Sequence, residues 1–152
     1  MIVEYAKVHP WAHTPSRANP SDAGLDVHYS PENPHTKIHM LSNTSRVIPT
    51  GLKFAIPHGY MLEVKNRSSI ASKRHLLVGA CVIDSGYEGE VFVNLHNVGV
   101  ESQVLAPGDK IAQLVLIPVV HFRPVEISES TLYSYPITIS GRGEGALGST
   151  DG

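Results

Sequence analysis

The sequence predicts an all-β fold, a single barrel or jelly-roll-like sandwich with at most one short helix. Three observations carry that expectation. Apolar stretches are short, alternating and rich in β-branched residues, Pro, Gly or Asn interrupts them about every ten residues, and helical periodicity is nearly absent. The 152 residues are enough for one core, and 13 Gly and 11 Pro are spread through them with no break in composition and no internal repeat.

Taken in order, "MIVEYAKV", "GLDVHYS", "RVIPTGLKFAIP" and "GYMLEVKN" read as the first strands. Pro49-Thr50-Gly51 and Pro57-His58-Gly59 bracket a strand from Leu52 to Ile56 and turn the chain twice. "SSIASKRHL" is the one stretch suited to a helical turn or two. "HLLVGACVID" and "GEVFVNLHN" predict strands from Ala80 to Ile83 and from Glu90 to Leu95, joined as a hairpin by a turn that carries Asp84 and Tyr87. "KIAQLVLIPVV" is apolar on both faces, as expected of a strand buried on both sides, within the domain or at a subunit contact. "PVEIS" predicts a last strand.

A formal net charge of −2 and a pI near 6.5 disfavour a nucleic-acid surface, which needs clustered Lys and Arg, and leave a small discrete anion open. Cys81 is the single cysteine, so no internal disulfide forms and a reducing compartment is expected. Glu4 and Lys7 break up the N-terminal apolar run, which reads as a strand and not a secretion signal, and no apolar run reaches membrane-spanning length. The expectation is a soluble cytoplasmic protein, or one of the host-cell cytoplasm or nucleus if its source is viral or eukaryotic, with no membrane or direct nucleic-acid partner.

Several segments have residue types suited to holding a polyphosphate. In "KNRSSIASKR", Arg67, Ser68 and Ser69 offer a guanidinium, two hydroxyls and the N–H groups of a helix start. The plainer alternative is a serine N-cap with Arg67 in solvent. Asp84 ends an apolar strand, either as a general base at the rim of a cleft or as an Asx-turn residue, and Tyr87 is either a platform for a sugar or ordinary packing. Gln113 lies among apolar neighbours, where its amide needs a backbone partner or a ligand. The tail "GRGEGALGST" is either a frayed end or a place where backbone N–H groups, Arg142 and the hydroxyls of Ser149 and Thr150 meet phosphate. His35 and His39 have an i, i+4 spacing in a segment that looks extended, which argues against a zinc pair, and no P-loop pattern occurs.

In order, "DAGLDV", "NRSSIA", "GACVIDSGYEGEV", "GDKIAQLVL" and "GRGEGALGST" resemble the five motifs of the trimeric deoxyuridine triphosphatases (dUTPases) over nearly the whole chain. The resemblance implies a distorted jelly roll of the β-clip type. It divides one domain into a barrel over 1–138 and a C-terminal lid over 139–152. It further implies a homotrimer with shared active sites that hydrolyses dUTP to dUMP and pyrophosphate, keeping uracil out of DNA and supplying dUMP for dTMP synthesis. By motif match, Asp84 would activate the water that attacks the α-phosphorus, and Tyr87 would underlie the deoxyribose and exclude a 2′-hydroxyl. Cys81, Val82 and Ile83, opposite Phe92, would read uracil through the main chain. Arg67, Ser68, Ser69 and Gln113 would hold the phosphates. Arg142, Leu147, Gly148, Ser149 and Thr150 would close over the nucleotide. Mg2+ would chelate the triphosphate, with Asp26 acting on it through water.

The chain departs from the family pattern at Leu147, where phenylalanine is usual, and at Cys81, often glycine, and Asp151 is an extra residue before the terminal Gly152. The related dCTP deaminases share the Ile-Asp turn but resemble Ile-Asp-Pro-Gly-Trp and carry a glutamate on the next strand. Here the turn is Ser85-Gly86-Tyr87, and Asn94 lies about where that glutamate would be. A nucleotide-gated binding protein is the non-enzymatic alternative, and it predicts drift at catalytic positions, whereas Asp84 is in place.

Overall fold

A computed structural model of the protein describes residues 1–135, 141 and 143–148. The chain divides into two units, Met1–His121 and Phe122–Gly152. The first contains β1 (Tyr5–Lys7), β2 (Leu25–His28), β3 (Ile38–Met40), β4 (Ser45–Pro49), β5 (Leu52–Phe54), β6 (Tyr60–Lys65), α1 (Ser68–Arg74), β7 (Leu76–Val78), β8 (Val82–Ile83), β9 (Phe92–Asn97), β10 (Gln103–Leu105) and β11 (Lys110–Pro118). Every strand pairing among them is antiparallel. A four-stranded sheet runs β2-β11-β6-β8, a three-stranded sheet runs β4-β9-β7, and β1-β5 and β3-β10 are separate pairs. This is the all-β architecture with one short helix that the sequence predicts.

Alternation builds these sheets. In β9, Val93, Leu95 and Asn97 are buried while Phe92, Asn94 and His96 take the other face. The inward set joins Val27, Met40, Ile48, Leu52, Leu76, Leu105, Ile111 and Leu114 in one core. Asn97 is admitted because all its polar atoms are satisfied. Its Nδ2 donates to the carbonyls of Met40 (3.0 Å) and Glu101 (2.9 Å), and its Oδ1 accepts from Gly99 N (3.0 Å). The Thr50-Gly51 turn is fixed by Gly51, whose φ is +70° and where a Cβ would meet Ala12 Cβ at 2.6 Å. The helix α1 buries Ile70, ends on a left-handed His75 and carries Lys73 and Arg74 in its last turn, where cations favour the helix dipole. Arg74 ties it down through Gln103 Oε1 (3.1 Å) and Asp109 Oδ2 (3.3 Å).

Three expectations are corrected. The strands on either side of Asp84 do not form a hairpin. Both edges of β9 are taken, by β4 and β7, so β8 joins the edge of β6 in a different sheet. The residues of β11 are buried on both faces only in its first half, at Ile111, Ala112 and Leu114, and half-buried from Val115 to Ile117. "PVEIS" forms no strand: Phe122 to Tyr135 are all exposed, and a 3-10 turn at Glu129–Thr131 is the regular element there. Alternation without a sheet edge to join buries nothing.

His28 is buried beside the core, stacked on His13 with ring centroids 5.4 Å apart, and its Nδ1 has no partner among the described residues. Burial pushes its pKa below the ordinary value of 6.5, with His13, Lys110 and Arg67 pushing the same way and Asp26 opposing them. The folded state therefore takes up the proton less readily than the unfolded chain. The stability contribution is intact above about pH 6.5 and falls as pH drops through that value. Thermal melts from pH 7.5 to 5.5 are expected to give a steeper loss of Tm for wild type than for His28→Asn, and equal slopes would contradict this.

Candidate active site

Where the chain leaves the three-stranded sheet, a cleft of about 210 Å³ opens between the two sheets. The ladder on that edge of β9 ends with Gly79 N donating to Asn94 O at 2.8 Å. The chain then crosses over, and Val64 N donates to Cys81 O at 2.8 Å as β8 begins on the edge of β6. Cys81, Val82, Ile83 and Asp84 line one wall, and Glu90, Val91 and Phe92 line the other. Asp84 starts a turn closed by Tyr87 N donating to its carbonyl at 3.1 Å. Tyr87 O–H reaches across to Glu90 O at 2.7 Å, which fixes the ring at the mouth of the cleft. Asp84 is exposed, and its carboxylate forms no hydrogen bond or ion pair among the described residues. Burial pushes the neighbouring Glu90 carboxyl above its usual range, against the pull of His9.

A second, polar pocket of about 270 Å³ lies beyond the end of β6, lined by Asp22, Gly24, Asp26, Arg67, Ser68 and Gln113 with Ala18 and Ala23. Asp26 is 8% exposed and sits between two cations. Its Oδ1 accepts from Arg67 Nε at 2.8 Å, and its Oδ2 pairs with Lys110 Nζ at 3.0 Å. Because Arg67 uses Nε for this contact, Asp26 fixes the guanidinium plane at the pocket wall. Arg67 itself occupies the N-cap position in an extended conformation, and Ser68 and Ser69 are the first helical residues, so neither serine is the cap. Gln113 Nε2 donates to Asn66 O at 2.8 Å, which gives its amide the backbone partner that its apolar surroundings demanded. Gly24 is required beside it, since a Cβ there would collide with the Gln113 amide.

Asn66 joins the two pockets. Its carbonyl takes the Gln113 amide, and its Oδ1 accepts from Val78 N at 2.8 Å, one residue before the crossover begins. Val64 in the cleft and Arg67 in the polar pocket are three residues apart, at most about 10 Å of chain.

The structure thus brings Cys81, Val82, Ile83, Asp84, Tyr87 and Phe92 together in the cleft, and Asp26, Arg67, Ser68 and Gln113 together in the polar pocket. Ser69 lies in α1 and lines neither. Leu147 and Gly148 belong to the second unit, where Leu147 is fully exposed and both have positive φ, +29° and +81°. Arg142, Ser149 and Thr150 lie outside the described residues. Asn66, Lys110, Asn94 and His96 were not singled out as site residues in the sequence. The alternation of β9, which sets Asn94 and His96 on the same face as Phe92, was the available signal.

With this geometry in place, the class is that of an all-β protein with a cleft between two sheets and a polar pocket lined by Asp22, Asp26, Arg67, Ser68 and Gln113. The profile of the dUTPase family matches residues 11–144, and the chain belongs to that family. It is 34% identical to the deoxyuridine 5'-triphosphate nucleotidohydrolase of Anaplasma marginale over 142 residues, covering 90% of this chain and 87% of that one. It is 38% identical to that of Chlamydia pneumoniae over 138 residues, covering 90% and 89%. Among solved structures, a mutant dUTPase of Staphylococcus bacteriophage 80alpha with dUpNHpp superposes with a TM-score of 0.84 at 24% identity, over 98% of both chains. A mutant dUTPase of phage phi11 of S. aureus, with a structural Mg(II) ion, gives 0.77 at 23% identity over 85% of this chain and 98% of that one. At these identities the two phage proteins attest the fold alone.

Asp26 lines the polar pocket with Oδ1 on Arg67 and Oδ2 on Lys110, and each oxygen keeps a lone pair that can accept from a metal-bound water, so its surroundings are compatible with the role expected of it. Among the described residues no group of three His, Cys, Asp or Glu side chains could hold a metal ion, and no helix is long and apolar enough to cross a membrane. Removing the Asp26 charge leaves Arg67 and Lys110 facing each other with no anion between them. Asp26→Asn is expected to lower stability by about 2–4 kcal/mol, less than for a fully buried pair because Arg67 is partly exposed. Urea unfolding checks this, and a loss below about 0.5 kcal/mol would show that the pair holds little.

Proposed function

We propose that the chain hydrolyses dUTP to dUMP and pyrophosphate. The observation that carries this reading is the position of Asp84, an exposed carboxylate at the rim of the cleft lined by Cys81, Val82, Ile83 and Phe92. The cleft would take the uracil, with the main chain of residues 81–83 reading its edge and the fixed Tyr87 ring lying under the deoxyribose. Arg67, Ser68 and Gln113, with Ser69 behind them, would hold the phosphate chain. Asp84 would accept a proton from water as the water attacks the α-phosphorus, and the α–β bridging oxygen would leave with the pyrophosphate. Magnesium would arrive on the phosphates of the nucleotide, as the family resemblance implies, with Asp26 of the polar pocket accepting from its water shell.

The fifth segment would add phosphate contacts from Arg142, Gly148, Ser149 and Thr150, and Leu147 would cover the base without stacking. A homotrimer with shared sites belongs to the same reading, as the family resemblance implies. Deamination of dCTP is disfavoured by Asn94, because a carboxamide cannot transfer the proton that a glutamate would, and its oxygen is already taken by Ala80 N and His96.

Pyrophosphate release from dUTP, dCTP, dTTP and UTP is the test, with ammonia assayed alongside. Release confined to dUTP is expected. Asp84→Asn should lower kcat at least about 100-fold while dUTP still binds. Tight binding with no release would sink the hydrolase and support a regulatory protein, and ammonia from dCTP would support a deaminase.

A further inference from the structure

Between the end of β7 at Val78 and the start of β8 at Val82, the crossover Gly79–Cys81 has no strand ladder of its own. It is held at one end by Gly79 N on Asn94 O and at the other by Cys81 O under Val64 N. Ala80 N lies between these two anchors, and Asn94 Oδ1 accepts from it at 3.2 Å. One residue of β9 thus grips two successive amides of the crossover, through its main chain and its side chain.

His96 fixes the orientation of that grip. Its Nε2 lies 3.0 Å from the same Asn94 Oδ1. A backbone N–H can only donate, so the Asn94 atom facing Ala80 must be the carbonyl oxygen. His96 Nε2, on that oxygen too, must then carry the proton. With the proton on Nδ1 instead, the amide would turn its NH₂ toward Ala80 N–H, and the bond to Ala80 would be lost. Gly79 completes the device. A Cβ there would collide with Asn94 Oδ1 and lie 2.5 Å from His96 Nε2, so only glycine lets the two side chains lie across the crossover.

We propose that Asn94, oriented by His96, is a positioning residue that sets the main chain of residues 80–83 and so determines which pyrimidine the cleft accepts. This rests on the reading of the cleft as the base pocket. Uracil and cytosine differ there in an oxygen against an amino group. A main-chain donor rejects the amino group only if it cannot swing away, so fixing Ala80 narrows the choice of base. Neither side chain lines the cleft, so the effect passes through the backbone alone.

The test compares wild type, Asn94→Leu, Asn94→Asp and His96→Phe by steady-state hydrolysis of dUTP and dCTP and by hydrogen exchange at the Ala80 amide. Asn94→Leu is expected to raise KM for dUTP and speed Ala80 exchange, each by about five- to tenfold, with a smaller effect on kcat and a narrower preference for dUTP over dCTP. Asn94→Asp keeps the acceptor and should stay within about twofold of wild type, and His96→Phe, which keeps the bulk but loses the donor, should fall between. Unchanged Ala80 exchange and unchanged base preference in Asn94→Leu would overturn the proposal, as would failure of Asn94→Asp to restore them. Should the wild type hydrolyse no nucleotide, the functional reading falls, and Ala80 exchange still decides whether Asn94 holds the crossover.

Discussion

The Asp26 carboxylate held between Arg67 and Lys110 is the constraint on which the rest of the site depends. It ties together three neighbouring elements: β2, which carries Asp26, the exit of β6, which carries Arg67, and the start of β11, which carries Lys110. In the β2–β11 ladder Asp26 stands opposite Gln113, so the same register that delivers the carboxylate also delivers the amide. A bulge between Lys110 and Ala112 lets the Lys110 ammonium reach Asp26 while Ala112 stays in the core. A buried carboxylate held by two partly exposed cations adds little net stability over an apolar packing. What it supplies is position, an arginine fixed by its Nε.

The second organising feature is topological. Both edges of β9 are occupied, so the chain after β7 has to leave that sheet and join the other at β6. The gap left by this departure is the cleft. Asn66 ties the exit of β6 to both neighbours, with its carbonyl accepting from the Gln113 amide and its side chain accepting from Val78 N.

Much of this was legible in the sequence, and the reasons for the exceptions are physical. Alternation reveals strands such as β9, and the resemblance to the five dUTPase motifs picks out Arg67, Ser68, Asp84, Tyr87 and Gln113. Alternation does not tell which edges are already taken. Asp84 is therefore flanked by strands of two different sheets and not by a hairpin, and residues 124–128 alternate without a partner. At three residues, β10 is too short to carry a readable period. The bonds that shape the site run from side chain to backbone across the chain: Asn66 to Val78, Asn94 to Ala80 and Gln113 to Asn66, separated by 12, 14 and 47 residues. Local pattern carries no trace of such pairings until the topology is known.

The most direct measurement of whether the cleft and the anion pocket form one nucleotide site is an amide-shift titration with the non-hydrolysable analogue dUpNHpp. Simultaneous shifts at residues 80–84 and 67–69, with one shared saturation point, are the predicted result. Shifts confined to one of the two segments, or saturating separately, would contradict the account.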